Sequence, residues 1–276
     1  MPILDPPEDE KDFKMTFPPP EPLPRPILAV SDVTFGYDPS KPAIVTKVDF
    51  GVDQQSRIGI MGPNGAGKTT LINLLLEKLR PQVGNIRRNP RLRVACFTQH
   101  HVDQLQLNKS ALDNLKTAFP DSIGDEGEDL VYRKHLGRFG VSGDLATRPC
   151  RRLSGGQKSR VAIAMLTWNV PHIMVFDEPT NHLDLETTEA LIKALETFGG
   201  GVLVVSHDQH FISSVCKELW YAHTPLFAMF SLRALNQCML FLYRVVGNGR
   251  MTRFDGSFEE YKKDFKKFMK KVGTTA

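Results

Sequence analysis

The sequence predicts an α/β protein that is built around a phosphate-binding loop. The run Gly62-Pro63-Asn64-Gly65-Ala66-Gly67-Lys68-Thr69-Thr70 fits the pattern G-x-x-x-x-G-K-[ST], with an apolar strand before it and an apolar helix after it. Two further apolar runs, 172–178 and 201–208, have the composition of parallel strands that are buried on both faces. Each run ends in polar side chains, and ligands of such sheets bind at the carboxyl ends of the strands.

The loop supplies the groups that hold phosphates. Gly62 and Gly67 allow turns in which a Cβ would clash, and the peptide N–H groups of the turn then point inward at anionic oxygens. Lys68 brings a positive charge to the outer phosphates, and Thr69 offers a hydroxyl to Mg²⁺. An ordinary glycine-rich turn before a helix is the alternative, and the flanking strand and helix favour the phosphate loop.

Length and composition set broad limits. The 276 residues suffice for one large or two modest domains, and 41% apolar residues can build a sizeable core. The net charge of +4 permits contact with nucleic acid or an acidic membrane surface but argues for neither. The four cysteines are scattered without metal-ligand spacing, which favours buried thiols in a reducing, cytoplasmic setting.

A proline-rich stretch begins the chain. Residues 1–27 contain nine prolines, which exclude helix and central strand and favour an extended linker or the end of one. Its acidic, proline-rich composition is not that of a signal peptide. We therefore expect the folded domain to occupy 28–276.

The other elements follow in order. Apolar patterns predict strands in 27–35 and 50–60, before the loop, and a short strand at 94–97 after it. About 108–170 is expected to be mainly helical, as an insert between the loop and the next strand. Tyr37, just after the first strand, either packs on the sheet or stacks on an adenine ring.

Three polar groups carry possible chemistry beyond the loop. Leu153-Ser154-Gly155-Gly156-Gln157 precedes a helix, and it is either a capped helix start or a second anion site without a lysine. Asp177 and Glu178 end a buried strand, where Asp177 suits Mg²⁺ and Glu178 could deprotonate a water, unless the pair is a plain strand end. His207 ends the next strand and is either structural or a partner of a γ-phosphate.

Taken together in this order, these motifs resemble the nucleotide-binding domain of ABC ATPases. The resemblance implies a P-loop fold with a mixed sheet core, an N-terminal β-subdomain and an inserted helical subdomain, with ATP and Mg²⁺ as cofactors. It assigns Tyr37 to adenine and Leu153–Gln157 to the signature that serves a partner's nucleotide. It further implies that Thr69, Gln99 and Asp177 hold Mg²⁺, and that the catalytic residues are Lys68, Gln99, Glu178 and His207.

Finer features resemble the ABC-F subfamily. They are the loop Glu178-Pro179-Thr180-Asn181-His182-Leu183-Asp184, the short helical insert, and the ending Arg253-Phe254-Asp255-Gly256-Ser257-Phe258. The resemblance implies a second domain of a cytoplasmic protein that acts on ribosomes in translation, without membrane insertion. The lysines of 261–271 either form a solvated helix face or contact ribosomal RNA.

The sequence departs from the subfamily in carrying one phosphate loop and one signature. Because each ATP of this family lies between the loop of one domain and the signature of another, we expect pairing with a second ABC domain, in a homodimer or with a full-length relative. The alternatives are an ATP-binding regulatory module with little activity alone and the ATPase subunit of a transporter.

Residues 221–244 interrupt the subfamily pattern with a run rich in Leu, Phe and Met. Deleting them joins Leu219-Trp220 to Val245-Val246-Gly247-Asn248-Gly249, which gives a strand, an Asn-Gly turn and a second strand. Trp220-Tyr221 can encode a splice donor, and the codons that end at Arg244 can encode a splice acceptor. We interpret the segment as a translated intron, and expect it to be exposed, poorly ordered and prone to aggregation. The alternative is a genuine insertion that forms an apolar helix for the groove of a partner.

Overall fold

The computed structural model describes residues 13–61, 65–98, 100–120, 128–181, 183–223, 226–230, 242–246 and 250–254. Its strands are β1 Leu28–Phe35, β2 Val45–Val52, β3 Arg57–Met61, β4 Val83–Arg88, β5 Val94–Phe97, β6 Ile173–Asp177, β7 Gly201–Val205, β8 Glu218–His223, β9 Leu226–Phe230, β10 Leu242–Val246 and β11 Arg250–Phe254. Its α-helices are α1 Lys68–Leu75, α2 His100–Asp103, α3 Ala111–Ala118, α4 Glu128–Gly137, α5 Asp144–Thr147, α6 Gly155–Thr167, α7 Leu185–Thr197 and α8 Gln209–Val215.

The chain divides into two compact units. The sheet unit comprises the described residues within Pro20–Cys96, Pro171–Glu178 and Gly199–Ala276. The helical unit comprises those within Met1–Pro19, Phe97–Val170 and Pro179–Phe198. The phosphate loop therefore belongs to the sheet unit and the signature to the helical unit.

The sheet unit confirms the predicted α/β fold with a mixed sheet. One sheet has the order β5-β6-β7-β3-β8-β9, in which β3 runs parallel to β7 and β8 while β9 runs antiparallel to β8. A second sheet, β2-β1-β4, is antiparallel throughout. Because β3, β6 and β7 are parallel neighbours, their carboxyl ends lie at one edge, where the phosphate loop begins.

The core of the sheet unit explains the apolar runs. All five residues of β7 are buried, as are the first four of β3 and of β6, which is the pattern of strands covered on both faces. The apolar side chains of α1 join the same core, with Leu71, Leu74 and Leu75 at most 2% exposed. The helix that follows the phosphate loop is therefore anchored by burial, which fixes where the loop ends.

The helical unit is organised by stacked aromatic rings. The Trp168 ring stacks on Tyr132 and Phe119, with ring centroids 4.7 and 5.7 Å apart respectively. The Nε2 atom of His135 donates a hydrogen bond of 2.7 Å to the carbonyl oxygen of Ala164 in α6, because a carbonyl can only accept. Burial lowers the pKa of His135, so this imidazole is neutral at pH 7 and belongs to the core.

Residues 13–27 contain neither helix nor strand, in agreement with the proline pattern. They are nevertheless packed against the folded chain, because Met15, Leu23 and Ile27 are at most 8% exposed. Leu23 also donates its backbone N–H to Oε1 of Gln54 over 3.1 Å. The stretch is thus extended but not free of the domain.

Part of the segment 221–244 forms strand. Tyr221 continues β8 and pairs with Met61 of β3, and Leu226–Phe230 adds β9 at the edge of the sheet, so these residues differ from the expected poor order. β10 and β11 form a two-stranded antiparallel sheet in which Val246 pairs with Arg250. The predicted Asn-Gly turn between them, at 247–249, and the lysine-rich stretch 261–271 lie outside the described residues.

Candidate nucleotide site

The phosphate loop has the backbone that its glycines predict. Gly65 and Gly67 have φ angles of 80° and 90°, which is the left-handed region that glycine adopts without a Cβ clash. Gly67 forms the N-cap of α1, and Lys68 begins the helix with 9% exposure. Thr69 is exposed and Thr70 is buried. Gly62, Pro63 and Asn64 lie outside the described residues.

Glu178 stands on a strained backbone. Its φ of 50° lies in the left-handed region, which is uncommon for a residue with a side chain. A hydrogen bond of 2.8 Å from its N–H to the Val205 carbonyl oxygen holds this conformation against the end of β7. Such strain persists where the surrounding structure fixes it, and it is concentrated at functional sites.

Three predicted catalytic side chains meet at the carboxyl edge of the sheet. The carboxylate Oε1 of Glu178 lies 3.5 Å from Nε2 of His207, and the His207 backbone N–H donates to Oε2 of Glu178 over 3.4 Å. The same Nε2 atom of His207 lies 3.4 Å from Nζ of Lys68. An ammonium only donates hydrogen bonds, so this nitrogen accepts from Lys68 when the ring carries its proton on Nδ1, and it faces the Glu178 carboxylate as a donor when Nε2 is protonated.

Asp177, at the end of β6, has an electrostatic environment suited to a cation. Burial, together with the charge of Glu178, raises the pKa of Asp177, while Lys68 lowers it. Because the pKa is raised in the folded chain, the ionised form is disfavoured there, and the carboxylate lowers stability as the pH rises through that pKa. A divalent cation at Asp177 would relieve this cost.

The residues present fit the Mg²⁺ that accompanies a nucleotide. Mg²⁺ prefers oxygen ligands, and the exposed Thr69 hydroxyl and the Asp177 carboxylate supply two. Both residues belong to the sheet unit that carries the phosphate loop. Gln99, the third predicted ligand, lies outside the described residues.

Tyr37 packs on the sheet, and its stacking on an adenine ring stays a prediction. Its ring packs edge-on against Phe35, with centroids 5.1 Å apart, and its hydroxyl lies 3.4 Å from Oγ1 of Thr70 in α1. The residue is nevertheless 61% exposed. The side chain is thus oriented by the sheet unit while much of its surface remains accessible to a stacking partner.

The signature begins α6 with a reciprocal cap. Oγ of Ser154 accepts a hydrogen bond from the Gln157 N–H over 3.2 Å, and Oε1 of Gln157 accepts one from the Ser154 N–H over 3.0 Å. This capping box satisfies two backbone donors at the helix start. Ser154, Gly155 and Gln157 are not buried, so this helix start is accessible within its unit.

Sequence reasoning missed a contact between Gly156 and Asp184. Asp184 caps α7 by accepting from the Thr187 N–H over 2.8 Å. Its Oδ2 would lie 1.6 Å from a Cβ built on Gly156, so a side chain at this position requires the Asp184 carboxylate to move. The sequence offered one signal, since an Asp before an amphipathic helix is a candidate N-cap, but the approach to Gly156 is tertiary.

Comparisons with known proteins show the family to which this chain belongs. The sequence model of the family described as ABC transporter matches residues 45–181. Protein GCN20 of Saccharomyces cerevisiae is 49% identical over 80% of this chain, and ATP-binding cassette sub-family F member 3 of Homo sapiens is 43% identical over 95%. The chain belongs to the ABC-F family of ABC ATPases. It spans about a third of the length of these relatives, 28% and 33% respectively.

Solved structures support the fold. The chain superposes on the dimeric ATP-binding cassette MJ0796, in a post-hydrolysis state bound to ADP and Pi, with a TM-score of 0.62 at 23% identity. The match covers 76% of this chain and all of that one. No helix in the described part of the chain combines the length and apolar character needed to cross a membrane.

Proposed function

We propose that this ABC-F domain hydrolyses ATP in composite sites, each made from its own phosphate loop and the signature of a second nucleotide-binding domain. The observation that carries the proposal is the contact series from Lys68 through His207 to Glu178, at 3.4 and 3.5 Å. A carboxylate, an imidazole and an ammonium that meet beside a phosphate loop are the groups that hydrolysis of a γ-phosphate requires.

In this proposal each side chain has one task. Lys68 and the loop amides neutralise the charge of the phosphates. Thr69, Asp177 and Gln99 would hold the Mg²⁺, which would supply further positive charge against the phosphates. Glu178 accepts a proton from the water that attacks the γ-phosphorus, while the bond to the ADP oxygen breaks and inorganic phosphate leaves. His207 hydrogen-bonds the γ-phosphate and positions it against Glu178.

The partner contributes the other half of the site. Gly155 and Gly156 lie in the first turn of α6, where the backbone N–H groups of a helix start favour an anion, and the Ser154 hydroxyl lies beside them. We propose that they close over the partner's nucleotide while Tyr37 stacks on the adenine of its own. A dimeric cassette with bound ADP and Pi among the structural neighbours supports this arrangement.

The process served is proposed from the family alone. Membership of the ABC-F family, with relatives such as GCN20 and sub-family F member 3, supports a cytoplasmic role on ribosomes, in which ATP-driven closure moves two domains against each other. The contacts that His207 makes with Lys68 and Glu178 favour hydrolysis in a pair over a silent ATP-binding module.

The ATPase rate as a function of protein concentration tests the proposal. If two copies complete each other's sites, the rate per chain rises with concentration until the dimer saturates, and dilution reverses the rise. A signature variant, Ser154→Arg, serves as the control and stays inactive at all concentrations. A non-zero rate per chain that is constant over the whole range would contradict composite sites between copies. No activity at any concentration would favour the ATP-binding module.

A further inference from the structure

The stretch 13–17, called the strap below, contacts the signature helix through a buried cation. The guanidinium carbon of Arg160, in α6, lies 4.0 Å from the centroid of the Phe13 ring. Arg160 is only 2% exposed, so its charge is held away from bulk water. Cation–π contacts strengthen when the pair is desolvated, which makes Phe13 a specific partner for this arginine rather than a general apolar cover.

A second contact shows that the Phe13 ring packs closely against the backbone at Gly140. A Cβ built on Gly140 would lie 2.7 Å from the Phe13 ring, and Gly140 has a φ of 68°. Only glycine combines that backbone with the space for the ring. The turn after α4 is thus adapted to the strap as well as to its own chain direction.

The rest of the strap is also anchored. The Thr16 N–H donates to the Arg138 carbonyl oxygen over 3.0 Å. The Phe17 ring lies edge-on to Phe139 and to Phe198, with centroids 5.7 and 5.6 Å away. Phe198 is the C-cap of α7, so the strap contacts α6, the turn after α4 and the end of α7.

In the proposed function, α6 and α7 carry the half of the site that faces the partner. Arg160 lies six residues after Ser154 on α6, a distance of about 9 Å along the helix axis. Asp184 is the N-cap of α7, and its carboxylate contacts Gly156 in the signature. The helix pair is therefore held at the signature end by Asp184 and, farther along, by the strap.

We propose that Phe13 and Phe17 are positioning residues, which hold α6 in the orientation that presents Ser154–Gln157 to the partner's nucleotide. This inference rests on the proposed function, because it assigns the strap to the composite site. It predicts an effect in trans: loss of the strap contacts impairs the partner's site and leaves the chain's own phosphate loop, in the sheet unit, able to bind nucleotide.

The test is complementation between variants of the full chain. The double variant Phe13→Ala/Phe17→Ala should bind a fluorescent ATP analogue like the unmodified chain and lose ATPase activity by roughly tenfold to a hundredfold, since a small misplacement of a positioned group costs that much. Mixed with Lys68→Ala, it should regain activity, because its loop then faces an intact signature. Mixed with Ser154→Arg, it should stay inactive, because both signatures are impaired.

Matched variants separate positioning from packing. Phe13→Trp keeps an aromatic ring over Arg160 and should retain ATPase activity. Phe13→Leu keeps apolar volume without a ring and should lose most of the ATPase activity that Phe13→Ala loses. Leu130→Ala, which removes an apolar side chain that is 70% exposed on α4 of the same unit, should change nothing.

The outcomes distinguish this inference from the proposed function. A mixture of Lys68→Ala and Ser154→Arg tests composite sites alone, and its failure to regain activity would remove the proposed function. If that mixture is active while the strap variant gains nothing from Lys68→Ala, the strap acts by general stability and the inference is wrong. Full activity of the strap variant alone, or activity with Ser154→Arg, would also overturn it.

Discussion

At the residue scale, Gly156 shows how a tertiary contact restricts one position of the signature. Any Cβ there meets the carboxylate that caps α7, at 1.6 Å. The neighbouring Gly155 is different, because nothing lies within 4 Å of a Cβ built on it. Packing against another side chain therefore favours glycine at 156 but not at 155.

This difference gives a prediction about stability. Gly156→Ala should lower the free energy of unfolding by about 1–3 kcal/mol, because Asp184 must move and its helix cap is disturbed. Denaturant unfolding followed by Trp fluorescence measures the change. Gly155→Ala is the matched control, and should change stability by at most about 1 kcal/mol, in the stabilising direction, since Ala suits a helix better than Gly.

Rescue by a shorter cap would confirm the cause. Asp184→Ser retains a side-chain oxygen for the cap but withdraws the atom that Gly156→Ala would meet. The double variant should therefore be more stable than the sum of the two single changes predicts. Strict additivity would show that the contact between Gly156 and Asp184 does not limit this position.

What the sequence could predict at this scale depends on the range of the interaction. The cap at Ser154 follows from neighbouring residues, and the structure has it. The contacts between Asp184 and Gly156, and between Phe13 and Arg160, join positions far apart in the chain, so no local pattern reveals them. The left-handed backbone of Glu178 is likewise imposed by the end of β7 and not by a glycine.

At the element scale, the strands and helices were largely predictable because their signals are local. Uninterrupted apolar runs indicated β6 and β7, and the burial of both strands explains the pattern. The strap lies within residues 1–27, which were predicted to form an extended linker, and it forms neither helix nor strand. Its packing within the helical unit was not predictable. A proline-rich sequence predicts the backbone conformation, but it does not indicate which residues the few aromatic side chains contact.

The segment 221–244 gives a prediction at the same scale. In the hairpin β10–β11, Val245 pairs with Met251 and Val246 with Arg250. If 221–244 is removed, β8 continues from Trp220 directly into Val245, and β11 can take the antiparallel place beside β8 that β9 now occupies. The shortened chain should therefore fold, with slow amide hydrogen exchange in 218–220 and 250–254.

Two observations would count against this account of the segment. Sequencing of mature transcripts should find messages that lack the codons for 221–244. If every mature message contains these codons, the segment is not a retained intron. Failure of the shortened chain to give a cooperative thermal transition, while the full chain gives one, would show that β9 is an integral part of the sheet.

At the scale of the whole molecule, the proposed function gives the chain one half of each of two sites. The sheet unit holds the phosphate loop with Lys68, Asp177, Glu178 and His207, and the helical unit holds the signature and the strap. Motif order identified the family from sequence, because each motif is short and local. Which domain completes the site is a property of assembly, so neither propensity nor burial within one chain predicts it.

The most direct test of composite ATP sites uses Glu178→Gln, which keeps the shape of the side chain but cannot accept the proton from water. With ATP and Mg²⁺, light scattering of this variant should show a stable species of twice the 31.0 kDa chain mass, with ATP retained unhydrolysed. Without nucleotide the same variant should be monomeric. A monomer in the presence of ATP, or rapid turnover by the variant, would contradict the proposed mechanism.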